Sequence, residues 1–106
     1  MFIHAESVQQ MFLNSEINNQ VITPNLNKLA SEGLYFSNYY SQESVGTSSD
    51  TEFTITNSIL PVGTGTVFIN YDHNNYQSMI KSFEEIGYYT FSMHGNICEY
   101  WNRSQM

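Results

Sequence analysis

Positive charge is nearly missing from this sequence. Lys28, Lys81 and Arg103 stand against ten Asp and Glu residues, for a net charge of −7. Nucleic-acid binding needs several Lys or Arg on one face to neutralise phosphates, so that class of function is excluded. A polybasic contact with anionic lipid fails for the same reason. Cysteine is almost absent as well. Cys98 stands alone, which rules out an intramolecular disulfide and argues against a Cys-based zinc site. No apolar run approaches the roughly 18 residues that a membrane-spanning helix requires. The N-terminus has neither the basic n-region nor the long apolar h-region of a signal peptide. As given, the chain reads as soluble, with no transmembrane segment and no address.

What is present is aromatic. Eight Tyr, seven Phe and one Trp lie in a chain that is 41% hydrophobic, a composition that buries a core and is foreign to disordered segments. With 106 residues the chain has the size of one small domain. Its ends are abrupt: Met1-Phe2-Ile3 is apolar at once, and Trp101 to Met106 closes without punctuation, so neither end reads as a natural domain edge.

Along the chain, Met1 to Ala5 reads as the tail of a strand, and the spacing of Val8, Met11 and Phe12 suits a short helix. Asn14 to Gln20 is polar and loop-like. Thr23-Pro24 pairs a cap residue with proline at the first helical position, Leu26, Leu29 and Ala30 repeat at three and four, and Gly33 is the stop. Leu34 to Tyr40 reads as a strand. Phe53, Ile55, Ile59 and Leu60 give a second helical spacing ended by Pro61, while Val67-Phe68-Ile69 is too short to assign. Asn74 to Ile86 predicts a helix with Gly87 as its C-cap, and Tyr88 to Met93 another strand leading into His94-Gly95-Asn96. This alternation predicts an α/β fold: a partial, largely parallel sheet flanked by helices.

In such a sheet, ligands collect at the carboxyl ends of the strands. Glu6 follows the first predicted strand, Ser48 and its neighbours the second, and His94 the last. Each has an ordinary role beside a functional one. Glu6 is either a first-turn carboxylate complementing a helix dipole or a ligand for a divalent cation. Thr47-Ser48-Ser49, with Asp50 and Glu52 behind, either caps a helix or places a nucleophilic hydroxyl in the positive potential of a helix N-terminus, where phosphate binds. His94 and Trp101 are by themselves as readily structural. Arg103 is the only arginine, and guanidinium grips phosphate bidentately. The Asn102-Arg103-Ser104 sequon has meaning only in a eukaryotic secretory setting, for which nothing in the sequence argues.

Taken together, Ala5-Glu6-Ser7, the run Thr23 to Ala30, and Gly46-Thr47-Ser48-Ser49-Asp50-Thr51-Glu52-Phe53 resemble the lipoteichoic acid synthases, phosphoglycerol transferases of the sulfatase and alkaline phosphatase superfamily. Asn57-Ser58, Gly87-Tyr88-Tyr89, His94-Gly95 and Tyr100-Trp101-Asn102-Arg103 continue the likeness in the same order. The resemblance implies the N-terminal portion (1–106) of a metal-dependent catalytic domain at the extracellular face of a Gram-positive cell membrane. Such an enzyme takes glycerol phosphate from phosphatidylglycerol and passes it to an acceptor hydroxyl in lipoteichoic acid synthesis. Carried over by position, Glu6 falls on a metal ligand, with manganese the usual ion. Ser48 falls on the nucleophile, which also touches the metal. His94, Asn96, Trp101 and Arg103 fall in the pocket for glycerol phosphate. The synthases typically use Thr where this chain has Ser48, and place Asp where it has Asn96. The family's further metal ligands, a distant Asp-His pair, have no counterpart within these residues, so the chain by itself is expected to be inactive. Alternatives are a sulfatase-like hydrolase fragment, a non-catalytic pseudoenzyme or binding module, and an unrelated α/β domain in which the hydroxyls only cap a helix.

Overall fold

The structure, a computed structural model, describes residues 1–105. It divides into two compact units, Met1–Ser41 and Gln42–Met106.

The first unit is built around a hairpin and a helix. Strands β1 (Glu16–Ile17) and β2 (Gln20–Val21) pair antiparallel, Glu16 opposite Val21 and Ile17 opposite Gln20. Asn18 and Asn19 between them both take positive φ, 51° and 62°, as a two-residue type I′ turn requires and as Asn tolerates. The polar stretch that sequence alone assigns to a loop is therefore a tight hairpin. Helix α1 (Pro24–Glu32) starts at the proline and ends at Gly33, as the sequence predicts. Thr23 uses its hydroxyl elsewhere than as a cap, donating to the Phe12 carbonyl at 2.8 Å and to Asn27 Oδ1 at 3.0 Å. The helix expected near Val8–Phe12 is a single 3₁₀ turn, Gln10–Phe12.

The second unit holds the core. Helix α2 (Ser48–Asn57) ends in a left-handed Ser58, φ 57°. Helix α3 (Val67–Asn70) is one turn long, and α4 (Met79–Glu85) is capped by Ser78, whose hydroxyl accepts from the Lys81 amide. Gly87, at φ 89°, closes α4: its amide bonds the Glu84 carbonyl and the Tyr88 amide bonds that of Phe83, the paired bonds of a Schellman motif. Phe53 from α2 and Val67 and Phe68 from α3 are buried together, with Val62, Tyr76 and Trp101 packed around them. Tyr76 meets Phe53 edge-on at 5.0 Å between ring centroids. The unassigned Val67-Phe68-Ile69 thus supplies two of the three buried apolar residues among those described.

The largely parallel sheet expected from the sequence is not among the described residues, whose one sheet is the antiparallel hairpin. Met1 to Ala5, Leu34 to Tyr40 and Tyr88 to Met93 carry strand-forming side chains but run without ladder partners. Strand propensity describes a residue's fit to a half-buried pleated surface, and without neighbouring strands that surface does not exist. Their large apolar side chains are accordingly exposed, Leu34 and Tyr89 at 90% each.

Candidate active site

The approach to Ser48 is pinned from inside the helix that Ser48 begins. Asp50, in the first turn of α2, is fully buried, and its Oδ2 accepts the amides of Ser44 at 2.9 Å and Gly46 at 3.0 Å. Ser49, also buried, donates its hydroxyl to the Gly46 carbonyl at 2.7 Å. A carboxylate in the first turn satisfies upstream amides and complements the positive helix end. The loop therefore closes on itself before the chain enters the helix. Gly46 is required for this closure. A Cβ there would lie 2.6 Å from Asp50 Cγ and 2.9 Å from Oδ2, with Oδ1 nearer still.

Between the pinned loop and Ser48 stands Thr47, at φ 46° and ψ −112°, a conformation costly for a β-branched residue. Thr47 occupies the N-cap position without a side-chain capping bond. Asp50 and Ser49 instead bind the loop ahead of the helix, Asp50 accepting its amides and Ser49 donating to a carbonyl. Ser48 follows as the first residue of a ten-residue helix, half-buried at its positive end.

Glu52 lies one turn further along α2, four residues from Ser48 and so on the same helix face. It carries the link to Arg103. The Arg103 Nε donates to both Glu52 oxygens, at 3.0 and 3.2 Å, and Nη2 donates to Oε2. Arg103 Nη1 donates to the Tyr100 carbonyl at 3.2 Å, and the guanidinium lies over the Trp101 ring, 4.6 Å from its centroid. The pair is sheltered, the Arg103 and Glu52 side chains being 18% and 31% exposed. Trp101 and Asn102 hold left-handed backbone, φ 61° and 58°, which turns the segment back onto the core. Asn102 anchors that turn, with Nδ2 donating to the Phe68 carbonyl at 2.8 Å and to Asp72 Oδ2 at 3.0 Å.

Of the residues singled out from sequence, the second unit thus gathers Ser48, Trp101 and Arg103 around α2 and the core. His94 and Asn96 stand in an exposed loop, where the Asn96 amide donates to His94 Nδ1 at 3.1 Å and Asn96 Oδ1 accepts the Ile97 amide at 2.8 Å. Glu6 belongs to the first unit, in an exposed turn beside Ser7 at φ 60°. Among the described residues no three His, Cys, Asp or Glu side chains gather to hold a metal ion. Sequence reasoning missed Glu52 as the partner of Arg103 and Asp50 as the anchor of the loop.

A cleft of about 240 Å³ opens beside the ion pair, lined by Glu52, Asn57, Asn74, Tyr76, Lys81 and Arg103 among others. Two of the three cationic side chains of the chain therefore face one opening.

The Sulfatase family model matches residues 1–106. Lipoteichoic acid synthase 2 of Bacillus subtilis (strain 168) is 36% identical over 108 residues, covering 100% of this chain and 17% of the relative. Lipoteichoic acid synthase 1 of the same organism is 37% identical over 108 residues, covering 98% and 17%. Lipoteichoic acid synthase of Staphylococcus aureus (strain USA300) is 38% identical over 108 residues, again covering 98% and 17%. The chain therefore spans about 17% of the length of these curated relatives. With the match running from the first residue to the last, the chain belongs to the Sulfatase family.

Proposed function

We propose that this chain is the nucleophile-bearing, N-terminal portion of the catalytic domain of a phosphoglycerol transferase that makes lipoteichoic acid. The observation that carries the proposal is the seat of Ser48. It is the first residue of a core-packed helix, entered through a strained Thr47 from a loop locked by Asp50. Strain held in place by surrounding bonds is characteristic of functional positions.

In the proposed reaction the Ser48 Oγ attacks the phosphorus of phosphatidylglycerol. An O–P bond to Ser48 forms, the P–O bond to diacylglycerol breaks, and the departing alkoxide takes up a proton. The glycerophosphoryl group then passes to an acceptor hydroxyl and Ser48 is regenerated. The positive end of α2 favours the charge that gathers on the phosphoryl oxygens. Arg103, held one turn along by Glu52 and stacked on Trp101, supplies a guanidinium suited to that phosphoryl group. His94 and Asn96 complete the substrate pocket in this scheme. The divalent cation that the resemblance implies is usually manganese, and Glu6 and Ser48 stand at the positions that the resemblance assigns to its ligands. The setting is the cell envelope, at the extracellular face of the membrane. No helix of the described residues is itself long and apolar enough to cross it.

The test is Ser48→Ala in the full-length protein, read as diacylglycerol release from phosphatidylglycerol with manganese present. Loss of the nucleophile removes both chemical steps, so the rate is expected to fall by several orders of magnitude, while Ser48→Thr retains activity. Turnover by the Ala variant at the parent rate would reduce Ser48 to the first residue of a helix.

A further inference from the structure

The turn that carries Arg103 is held against its own backbone preference. Trp101 and Asn102 stand at φ 61° and 58°, and a left-handed conformation is costly for a side chain as bulky as tryptophan. Such a turn persists only where surrounding groups hold it. Here they come from α3 and the residues just beyond its end. A one-turn helix leaves its last carbonyls short of helical donors, and that of Phe68 accepts Asn102 Nδ2 at 2.8 Å. The same nitrogen donates to Asp72 Oδ2 at 3.0 Å. The other Asp72 oxygen, Oδ1, lies 2.6 Å from His73 Nδ1, so the carboxylate is fixed at both oxygens. Its side chain is only 23% exposed, a setting in which a hydrogen bond to a carboxylate is strong. Arg103 follows Asn102 directly. The backbone from which its guanidinium reaches Glu52 and covers Trp101 is therefore set by this tether.

We propose that Asp72 is a positioning residue for the transfer reaction: through the Asn102 carboxamide it fixes the turn that sets Arg103 beside α2. Asp72 does not touch the phosphoryl group in this scheme and acts only through Asn102. Removing its carboxylate leaves Asn102 Nδ2 with the Phe68 carbonyl alone, and the left-handed pair loses half of what holds it. Arg103 then samples a spread of positions. Displacing a group that grips the reacting atoms by even an ångström weakens binding and alignment together. The proposal rests on Arg103 being the phosphoryl-binding group of the proposed transferase.

The experiment is Asp72→Ala in the full-length protein, read as KM and kcat for diacylglycerol release from phosphatidylglycerol with manganese present. KM is expected to rise by about tenfold, the effect of losing one hydrogen bond to a charged group. Partial unfolding would act differently, lowering the apparent kcat at an unchanged KM. Asp72→Asn keeps an oxygen for the Asn102 amide and is expected to recover most of the parent KM. Asn102→Gly removes the carboxamide while glycine is at ease at φ 58°, so it serves should Asp72→Ala not fold, and it is expected to raise KM at least as far. In that Asn102→Gly background, Asp72→Ala should cost nothing further. A parental KM in Asp72→Ala or in Asn102→Gly, no recovery in Asp72→Asn, or additive effects of the two changes would each overturn the proposal. Calorimetric titration with glycerol 3-phosphate gives a readout that does not need Ser48, and Asp72→Ala should weaken that binding by about tenfold as well. Turnover by Ser48→Ala at the parent rate alongside that loss would remove the transfer chemistry and leave the positioning role standing. A dead Ser48→Ala beside parental KM and affinity in Asp72→Ala would do the reverse.

Discussion

Replacing Gly46 by alanine perturbs the loop before Ser48 at one atom. The added methyl would sit 2.6 Å from Asp50 Cγ and 2.9 Å from Oδ2, well inside van der Waals contact. Asp50 is fully buried and its carboxylate has no slack, so it must swing away. Doing so lengthens its bonds from the Ser44 and Gly46 amides, at 2.9 and 3.0 Å, and leaves a carboxylate oxygen and two amides poorly matched. Hydrogen bonds to charged acceptors contribute about 1.5–3 kcal/mol each, overpacking costs about 1–3 kcal/mol, and the stiffer unfolded chain returns about 0.4–1 kcal/mol. Because the two losses overlap, a net destabilisation of roughly 2–4 kcal/mol is expected, or a fall in Tm of about 10–25 °C. Gly63→Ala is the control, since a methyl there meets nothing within 4 Å. Thermal unfolding of both variants checks the magnitude. A double-mutant cycle checks the cause: in an Asp50→Ala background, Gly46→Ala should cost almost nothing further. If Gly46→Ala melts within a degree or two of Gly63→Ala, the Asp50 carboxylate does not hold this loop and the pinned seat of Ser48 is wrong.

The turn that carries Trp101 and Arg103 gives a second measurement. Asn102→Ala removes two hydrogen bonds, to the Phe68 carbonyl and to Asp72, and puts alanine at φ 58°, so a loss of about 2–3 kcal/mol is expected by urea unfolding. No loss would detach this turn from the core. Cys98 offers a chemical probe. Its thiol pKa is raised by the hydrogen bond to Glu99 and then by the Glu99 charge, while Glu99 is lowered by the same bond. A raised thiol pKa means less thiolate at a given pH, so iodoacetamide should alkylate Cys98 more slowly at pH 8 than it does an unstructured cysteine peptide, and Glu99→Gln should speed the reaction. Identical rates in the two proteins would refute that coupling.

Much of the candidate site was legible because it is local. The Thr23-Pro24 start and Gly33 stop of α1 follow from proline's fixed φ and missing amide and from the glycine after the last periodic residue. The apolar spacing at Phe53 and Ile55 located α2, although Ile59 and Leu60 lie beyond its end at Asn57, and the hydroxyl cluster marked its first turn. Chemical type singled out Ser48 and Arg103. Local rules stop where a residue's partner lies far along the chain. Glu52 and Arg103 are 51 positions apart, and nothing in either neighbourhood names the other. Asn102 reaches Phe68 across 34 positions, and so fixes a left-handed Trp101 that no propensity would predict. Val67-Phe68-Ile69 became a buried turn because Phe53 offered it a surface, not because four residues make a helix by themselves. The strand-like segments show the converse. Aromatic side chains give Leu34 to Tyr40 and Tyr88 to Met93 the chemistry of strands, but a ladder is a relation between segments, and among the described residues strand pairing joins only Glu16–Ile17 and Gln20–Val21. Sequence by itself determined which residues carry helix ends, hydroxyl and guanidinium. Tertiary structure decided that Asp50 is spent on the loop and that the charge of Arg103 is answered by Glu52, because burial and ion pairing depend on what the fold brings within a few ångströms.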